Sequence, residues 1–447
     1  MKKTALEKGF ERELVIERIH FRGIHNNIKM IIRLETSISN EKLRDAVQKL
    51  SKTHPLLASR IILDEAGKAT FTTENVPSLP LKTYRKDQTT CKEAIYSEDL
   101  DPINTETGPL ARVILVDHPE RPELVLYAHH VACDGMSLLY ASRQLLEYLA
   151  DPGREPEVLT PIPYSEELMR RYPPNIVNRF MINRVNSDWA KRRRLFTEAE
   201  YWEMFKGSQP DGYTHISFTE EETTALRDRC REESVTVNSA LVTAMLLASR
   251  ATPELRRSDQ MAFTVNIRGM LEADPGEACG MYASGVSLSL KYRDTGNFWD
   301  NARTAHRISK EKLNDPDALF DRRTTSIILD PTIYDALIFA TFTDYEDKLV
   351  ERFKNKIAQP NLGGILTNLG GVTIPREYGD IRVLDVIFVP PASGGGILAV
   401  GAGSVMGNLN LVMPYREPAF KEEVALKFTD ALQRKLRELI YNDIRIS

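Results

Sequence analysis

Leu124-Val125-Leu126-Tyr127-Ala128-His129-His130-Val131-Ala132-Cys133-Asp134-Gly135 is a strand that runs into a break, and the apolar-rich segment Met136 to Leu149 behind it reads as a helix. The break carries two adjacent histidines, an aspartate four residues after the second, and a glycine: HHxxxDG. At average residue usage those four fixed positions arise by chance in roughly one chain in a thousand of this length. The histidines therefore sit where a strand ends and a helix begins, a frequent place for reactive groups. Neighbours on a strand point to opposite faces, so one histidine can face a site, and the pair cannot hold one metal ion from the strand. No metal site is expected.

Outward from this stretch, ARVILVDH (111–118) and ELVLYAHH (123–130) form a hairpin around Pro119-Glu120-Arg121-Pro122. Upstream, 28–36 reads as a strand. Ser39 can cap a helix with apolar positions Leu43, Ala46, Val47 and Leu50, which Pro55 stops. Short strands near 57–63 and 69–73 flank the Ala66-Gly67 turn. Downstream, prolines crowd at 152, 156, 161, 163, 173 and 174, and a basic run follows at Lys191-Arg192-Arg193-Arg194. That run is a solvated face, or else a docking patch for an acidic carrier domain or the phosphates of coenzyme A. A second unit opens near 212 with a strand and a helix start. It continues through a helix at 235–249, a strand at 261–268 and an amphipathic helix at 296–315. Strands at 363–367, 381–389, 396–402 and 408–415 follow, and a last helix at 417–440 closes it. Strands and helices mix without strict βαβ alternation, so the fold class is α+β. The domains expected are 1–175, a crossing segment 176–211, and 212–447.

With 447 residues the chain exceeds one ordinary core and suffices for two lobes. Apolar content of 42%, charged content of 27% and a net charge of −4 suit a globular protein and exclude nucleic acid as the main partner. The charged start MKKTALEKGFEREL lacks a signal-peptide core, no run approaches a transmembrane span, and the four cysteines have no disulfide or metal spacing. A cytoplasmic location is expected.

A base with a pKa near 7 suits a step in which an alcohol or amine loses its proton while attacking, and His130 is the candidate. Cys133 reads as a small core residue, not a nucleophile, and no GxSxG motif offers a serine. Asp134 can cap the following helix, and Gly135 can be a turn residue or leave room beside the base.

On these residues the chain resembles the HHxxxDG acyltransferase superfamily, which includes chloramphenicol acetyltransferase, peptide-synthetase condensation domains, alcohol acetyltransferases and polyketide-associated acyltransferases. Glu17-Arg18, Thr53-His54-Pro55-Leu56-Leu57, the HH motif, Val265-Asn266-Ile267-Arg268 and Thr367-Asn368-Leu369-Gly370 occur in the order such proteins have. The resemblance implies two chloramphenicol-acetyltransferase-like lobes in a V with a tunnel between them. It implies His130 as general base, His129 as support for the loop, and Asp134 turned away from substrate to pair with Arg268, beside Gly135. It offers Asn266, Thr367 and Asn368 as substrate contacts. No cofactor is held permanently. Acyl-CoA or a phosphopantetheine-linked acyl group on a carrier protein is the co-substrate, and a small alcohol or amine is the acceptor.

The DFGWG motif of the BAHD branch is absent, and no adenylation or carrier domain accompanies the chain, which favours the alcohol acetyltransferase and polyketide-associated type. The leading expectation is an O-acyltransferase. The alternatives are a stand-alone amide-forming condensation enzyme and a non-catalytic recruitment module. A monomer suffices, since one chain supplies both lobes.

Overall fold

The structure is a computed structural model. It describes residues 9–441 apart from 24, 293–296, 358–361, 373, 393–396 and 419, so the first residue of the expected strand 396–402 lies outside the described residues. Two six-stranded sheets organise the chain, each with its own apolar core.

The first sheet runs in the order Glu377–Tyr378, Ile381–Val389, Asn27–Leu34, Glu123–His129, Ala111–Asp117, Leu81–Arg85. The 111–117 and 123–129 strands pair antiparallel, as the hairpin reading expects. Their side chains are buried on both faces from Val113 to Val116 and from Leu124 to Ala128, which explains why they read as continuous apolar runs instead of alternating ones. The helix Gly135–Ala150 packs against this sheet, and Asn40–Thr53 packs against that helix. Ser39 caps Asn40–Thr53 through the Lys42 N–H, and Leu43, Ala46, Val47 and Leu50 form its buried stripe.

The second sheet runs Ala283–Ser289, Gln260–Asn266, Leu362–Val372, Leu398–Val405, Asn408–Tyr415, Gly212–Phe218. The helices Glu220–Glu232, Val237–Arg250, Phe298–Leu313 and Glu422–Tyr441 accompany it.

Sequence position puts 377–389 with the second unit, yet its hydrogen bonds put it in the first sheet, where Ile381–Val389 pairs antiparallel with Asn27–Leu34. The reason is burial. Val386, Ile387, Phe388 and Val389 are all at most 5% exposed, so this run needs cover on both faces. It also covers the hydrogen-bonding edge of Asn27–Leu34. Asn410 of the second sheet donates to Asp385 Oδ1 at 2.8 Å and so ties this strand back to its own lobe.

The crossing segment is more ordered than its composition suggests. Ile176–Ala190 and Glu198–Met204 are helices that share a third core with Thr332–Phe342 and Lys348–Ile357, around Trp189, Phe196, Tyr201 and Ile333. Sequence reading missed the helices between 316 and 357 and the strand Ala283–Ser289. The basic run is paired residue by residue: Lys191 with Asp188 at 3.8 Å, Arg192 with Asp347 at 3.6 Å, Arg193 with Asp330 at 3.5 Å and Arg194 with Glu200 at 2.5 Å. That is the solvated-face arrangement, with little charge left over for docking an acidic partner. Among the described residues no single helix is long and apolar enough to cross a membrane.

Candidate active site

The strand Glu123–His129 ends at His129, and the chain turns at His130. The two rings part company there. His129 enters the core at 0% exposure, where its Nε2–H donates to Gly23 O at 3.0 Å and its Nδ1 accepts the Val131 N–H at 3.2 Å. Both nitrogens are used, and burial pushes its pKa down to about 4. His129 is a neutral brace.

His130 is half-buried, and its Nδ1 lies 2.9 Å from the carbonyl oxygen of Cys133. A carbonyl only accepts, so the proton of the neutral ring sits on Nδ1 and Nε2 carries the lone pair. Burial lowers the pKa of His130, with the Cys133 carbonyl and the Asp134 charge opposing. The ring is therefore neutral at pH 7.

His130 borders a cavity of about 520 Å³ between the two sheets. Gly135 and Phe388 line it from the first sheet's side, and Thr264, Ser284 and Thr367 from the second. His20 lines it too, with its ring centroid 4.3 Å from that of His130 at a tilt of 46°. Sequence reading missed His20. The nearest signal was Glu17-Arg18, because Arg18 anchors the short helix Arg18–Phe21 by donating twice to Asp335, at 2.7 and 2.5 Å. The Asn26 amide donates to His20 Nδ1 at 3.1 Å, which leaves the proton on Nε2. Burial, then the neighbouring His130, His129 and Arg323, push the His20 pKa well down.

Asp134 performs both tasks considered for it. Its Oδ1 accepts the Ser137 N–H at 2.8 Å and caps the helix Gly135–Ala150. Its Oδ2 accepts the Tyr282 N–H at 2.8 Å, while its own N–H donates to Gly280 O at 3.0 Å. Arg268 meets the carboxylate at 3.4 Å and donates to Ser137 Oγ at 2.7 Å, and that hydroxyl in turn contacts Asp134 Oδ1 at 2.8 Å. Burial alone would raise the Asp134 pKa. Arg268 and the three donors outweigh it and hold the carboxyl below its ordinary value. The HH loop is thus stapled to the 268–282 segment of the other lobe.

Gly135 sits at close quarters with a strand of each sheet. A Cβ there would meet Leu369 Cδ2 at 2.8 Å and Phe388 Cζ at 2.9 Å. Thr367 lines the cavity, but Asn368 does not. Successive strand residues face opposite ways, and Asn368 borders a separate cavity of about 750 Å³, with its amide 3.3 Å from Asn238. Asn266 is exposed and outside the cavity, and its Oδ1 accepts the Arg268 N–H at 3.1 Å, shaping the turn that delivers Arg268. Of the two asparagines expected as substrate contacts, Asn368 is turned to the other face of its strand, and Asn266 folds its side-chain oxygen back onto the Arg268 N–H. Cys133 is fully buried, and burial pushes its thiol pKa well up, which fits a core residue. Among the described residues no cluster of three or more His, Cys, Asp or Glu side chains is arranged to hold a metal ion.

Residues 4–166 match the family model of the condensation domain. Nonribosomal peptide synthetase 8 of Aspergillus fumigatus is 30% identical over 156 residues, which is 34% of this chain and 2% of that protein. The chain thus spans about 2% of the length of this curated relative. Polyketide synthase associated protein 5 from Mycobacterium tuberculosis superposes with a TM-score of 0.64 at 17% identity, covering 97% of this chain and 99% of that one. TRI3 trichothecene 15-O-acetyltransferase from Fusarium sporotrichioides does so at 0.63 and 13%, covering 99% and 97%. These superpositions establish the two-lobed, chloramphenicol-acetyltransferase-like fold over nearly the whole chain, and the sequence match covers the lobe that carries HHxxxDG. The chain therefore resembles the condensation domain in sequence over residues 4–166 and shares the fold of condensation domains and of the TRI3 acetyltransferase over nearly its whole length.

Proposed function

We propose that this chain transfers an acyl group from a thioester donor to a hydroxyl acceptor, with His130 as the general base. The observation that carries the reading is the Nδ1–H···O=C bond from His130 to Cys133, which leaves an unprotonated Nε2 on a ring that borders the interlobe cavity. In the first step the acceptor oxygen attacks the thioester carbonyl carbon as its proton moves to Nε2. The tetrahedral oxyanion then collapses. The carbon–sulfur bond breaks, the thiolate takes the proton from Nε2, and ester and thiol leave. Thr367 and the His20 Nε2–H are the nearby donors suited to the oxyanion. His129, Asp134, Gly135 and Arg268 position the loop.

The donor is acyl-CoA or an acyl group on a carrier protein's phosphopantetheine. The hydroxyl acceptor is favoured by the O-acetyltransferase among the structural relatives. The peptide-synthetase match favours the second reading, amide formation with an amine acceptor and the same proton transfer. Both cavity walls come from one chain, so a monomer suffices.

A thiol-release assay tests the reading, with acetyl-, octanoyl- and palmitoyl-CoA offered against alcohols and amines. Release only with alcohols supports the O-acyltransferase, and release only with amines moves the assignment to amide formation. Silence with CoA thioesters and with carrier-bound thioesters promotes the non-catalytic module.

The acid limb of kcat/KM follows from the His130 pKa. Because that pKa is lowered, the basic form persists below the ~6.5 of a free imidazole and is lost only as the pH falls further. The limb is expected to have its midpoint below pH ~6.5. A midpoint at or above that value counts against His130 as the base.

A further inference from the structure

The charges around the His130 cavity do not cancel. Asp134 is matched by Arg268. Arg416, also on the wall, is matched by Asp211 at 2.6 Å. His20, His25 and His130 are neutral at pH 7, their pKa values all lowered first by burial, that of His25 to about 4. Arg323, from the helix Pro316–Ile328, remains.

Its surroundings hold it in place without neutralising it. Nη1 donates to Met281 O at 3.1 Å and to Tyr164 Oη at 3.2 Å, and the tyrosine in turn donates to Met281 O at 2.9 Å. The guanidinium carbon lies 5.4 Å from the Tyr164 ring centroid. Every one of these partners is uncharged. Among the described residues no carboxylate stands within 4.0 Å of Arg323, and its Nε is buried without a hydrogen-bond partner. Arg323 is half-buried, so an anion that reaches it meets a charge already partly shielded from water.

We propose that one of the two reacting molecules carries a carboxylate and that Arg323 binds it inside the His130 cavity. The inference rests on the acyl-transfer reading and names the substrate class. A planar guanidinium with Nη1 fastened and no hydrogen bond at Nη2 among the described residues matches a single planar monoanion. The site shares a cavity with the reacting groups: Arg323, His20 and His130 all line it, and the His20 ring packs against that of His130. The anion therefore belongs to the reacting end of a substrate, not to the remote phosphates of coenzyme A. Two sources share this chemistry, a hydroxy-acid acceptor and a dicarboxylic acyl donor.

Calorimetric titration separates them. The first pair of probes is 3-hydroxyoctanoate against its methyl ester, and the second is glutaryl-CoA against pentanoyl-CoA. In the wild-type protein the charged member of one pair is expected to bind about 10- to 100-fold tighter than its neutral partner, the scale of a hydrogen bond to a charged group. Which pair discriminates identifies the source. In Arg323→Gln the ratio is expected to fall close to one, and in Arg323→Lys to be intermediate. If Arg323→Gln lowers the melting temperature, the lysine variant carries the comparison. A wild-type protein that binds both members of each pair alike, or binds neither acid, overturns the inference. So does an Arg323→Gln variant that weakens charged and neutral members equally. Discrimination in binding without any thiol release upholds Arg323 as an anion site and overturns the transfer reading instead.

Discussion

His130→Ala is expected to lower kcat by about 10²- to 10⁴-fold, the usual contribution of a positioned general base. The loss falls on kcat, since the imidazole takes a proton during the chemical step and donor binding draws on other walls of the cavity. Stability is expected to change little. The side chain is half-buried, and the bond lost with it is the Nδ1–H donation to Cys133, a net contribution of about 1 kcal/mol. The residual rate should also lose the acid limb assigned to this imidazole. Single-turnover thiol release across pH, beside a melting curve, reads all three. Wild-type turnover in the alanine variant, with the limb intact, sinks the mechanism.

Asp134→Ala is expected to lower both stability and activity, for a different reason. Removing one partner of a buried ion pair leaves the other uncompensated, at a cost of about 3–5 kcal/mol. Here Arg268 is 5% exposed, and the helix cap on Ser137 and the acceptor for the Tyr282 N–H go at the same time. The HH loop loses its staple to the other lobe, so His130 is displaced. A misplacement of about 1 Å can cost on the order of 10²-fold. The pair should be studied at neutral pH. The Asp134 pKa is lowered on folding, so its contribution is full above the unfolded value of ~3.9 and is lost as the pH falls through the folded one. Asp134→Asn, Arg268→Gln and the double variant form a cycle that isolates the pairwise term. Coupling above about 0.5 kcal/mol supports the staple. Strict additivity, or an alanine variant with unchanged melting and turnover, removes it.

Much of this architecture is legible from local pattern. Ser39 with its buried stripe, the 111–129 hairpin and the strand-to-helix break at His129–Gly135 depend on neighbours within a few residues, and the periodicities of 2 and 3.6 report burial directly. Asp134 and Arg268 could be named as partners only through resemblance, because 134 residues separate them and spacing says nothing at that range. Motif context singles out Asn266 and Asn368, but strand alternation turns Asn368 away from the cavity that Thr367 faces, and Asn266 spends its side-chain oxygen on the Arg268 N–H. His20 lies in a charged segment with no periodicity to single it out. Its meeting with His130 depends on the Arg18–Asp335 anchor, which spans 317 residues.

By itself the sequence determined the hairpin and helices around the HH motif, the α+β class and His130 as the group able to move a proton. Those follow from local hydrogen bonding and from burial repeated along one segment. Only the tertiary structure decided that Ile381–Val389 belongs to the first sheet, that His130 carries its proton on Nδ1, and that Arg323 stands in the cavity without a carboxylate among the described residues. Each of these is settled by which atoms from distant segments share a desolvated space. There the nearest acceptor fixes a tautomer, and the lack of a counter-charge leaves a cation open to a ligand.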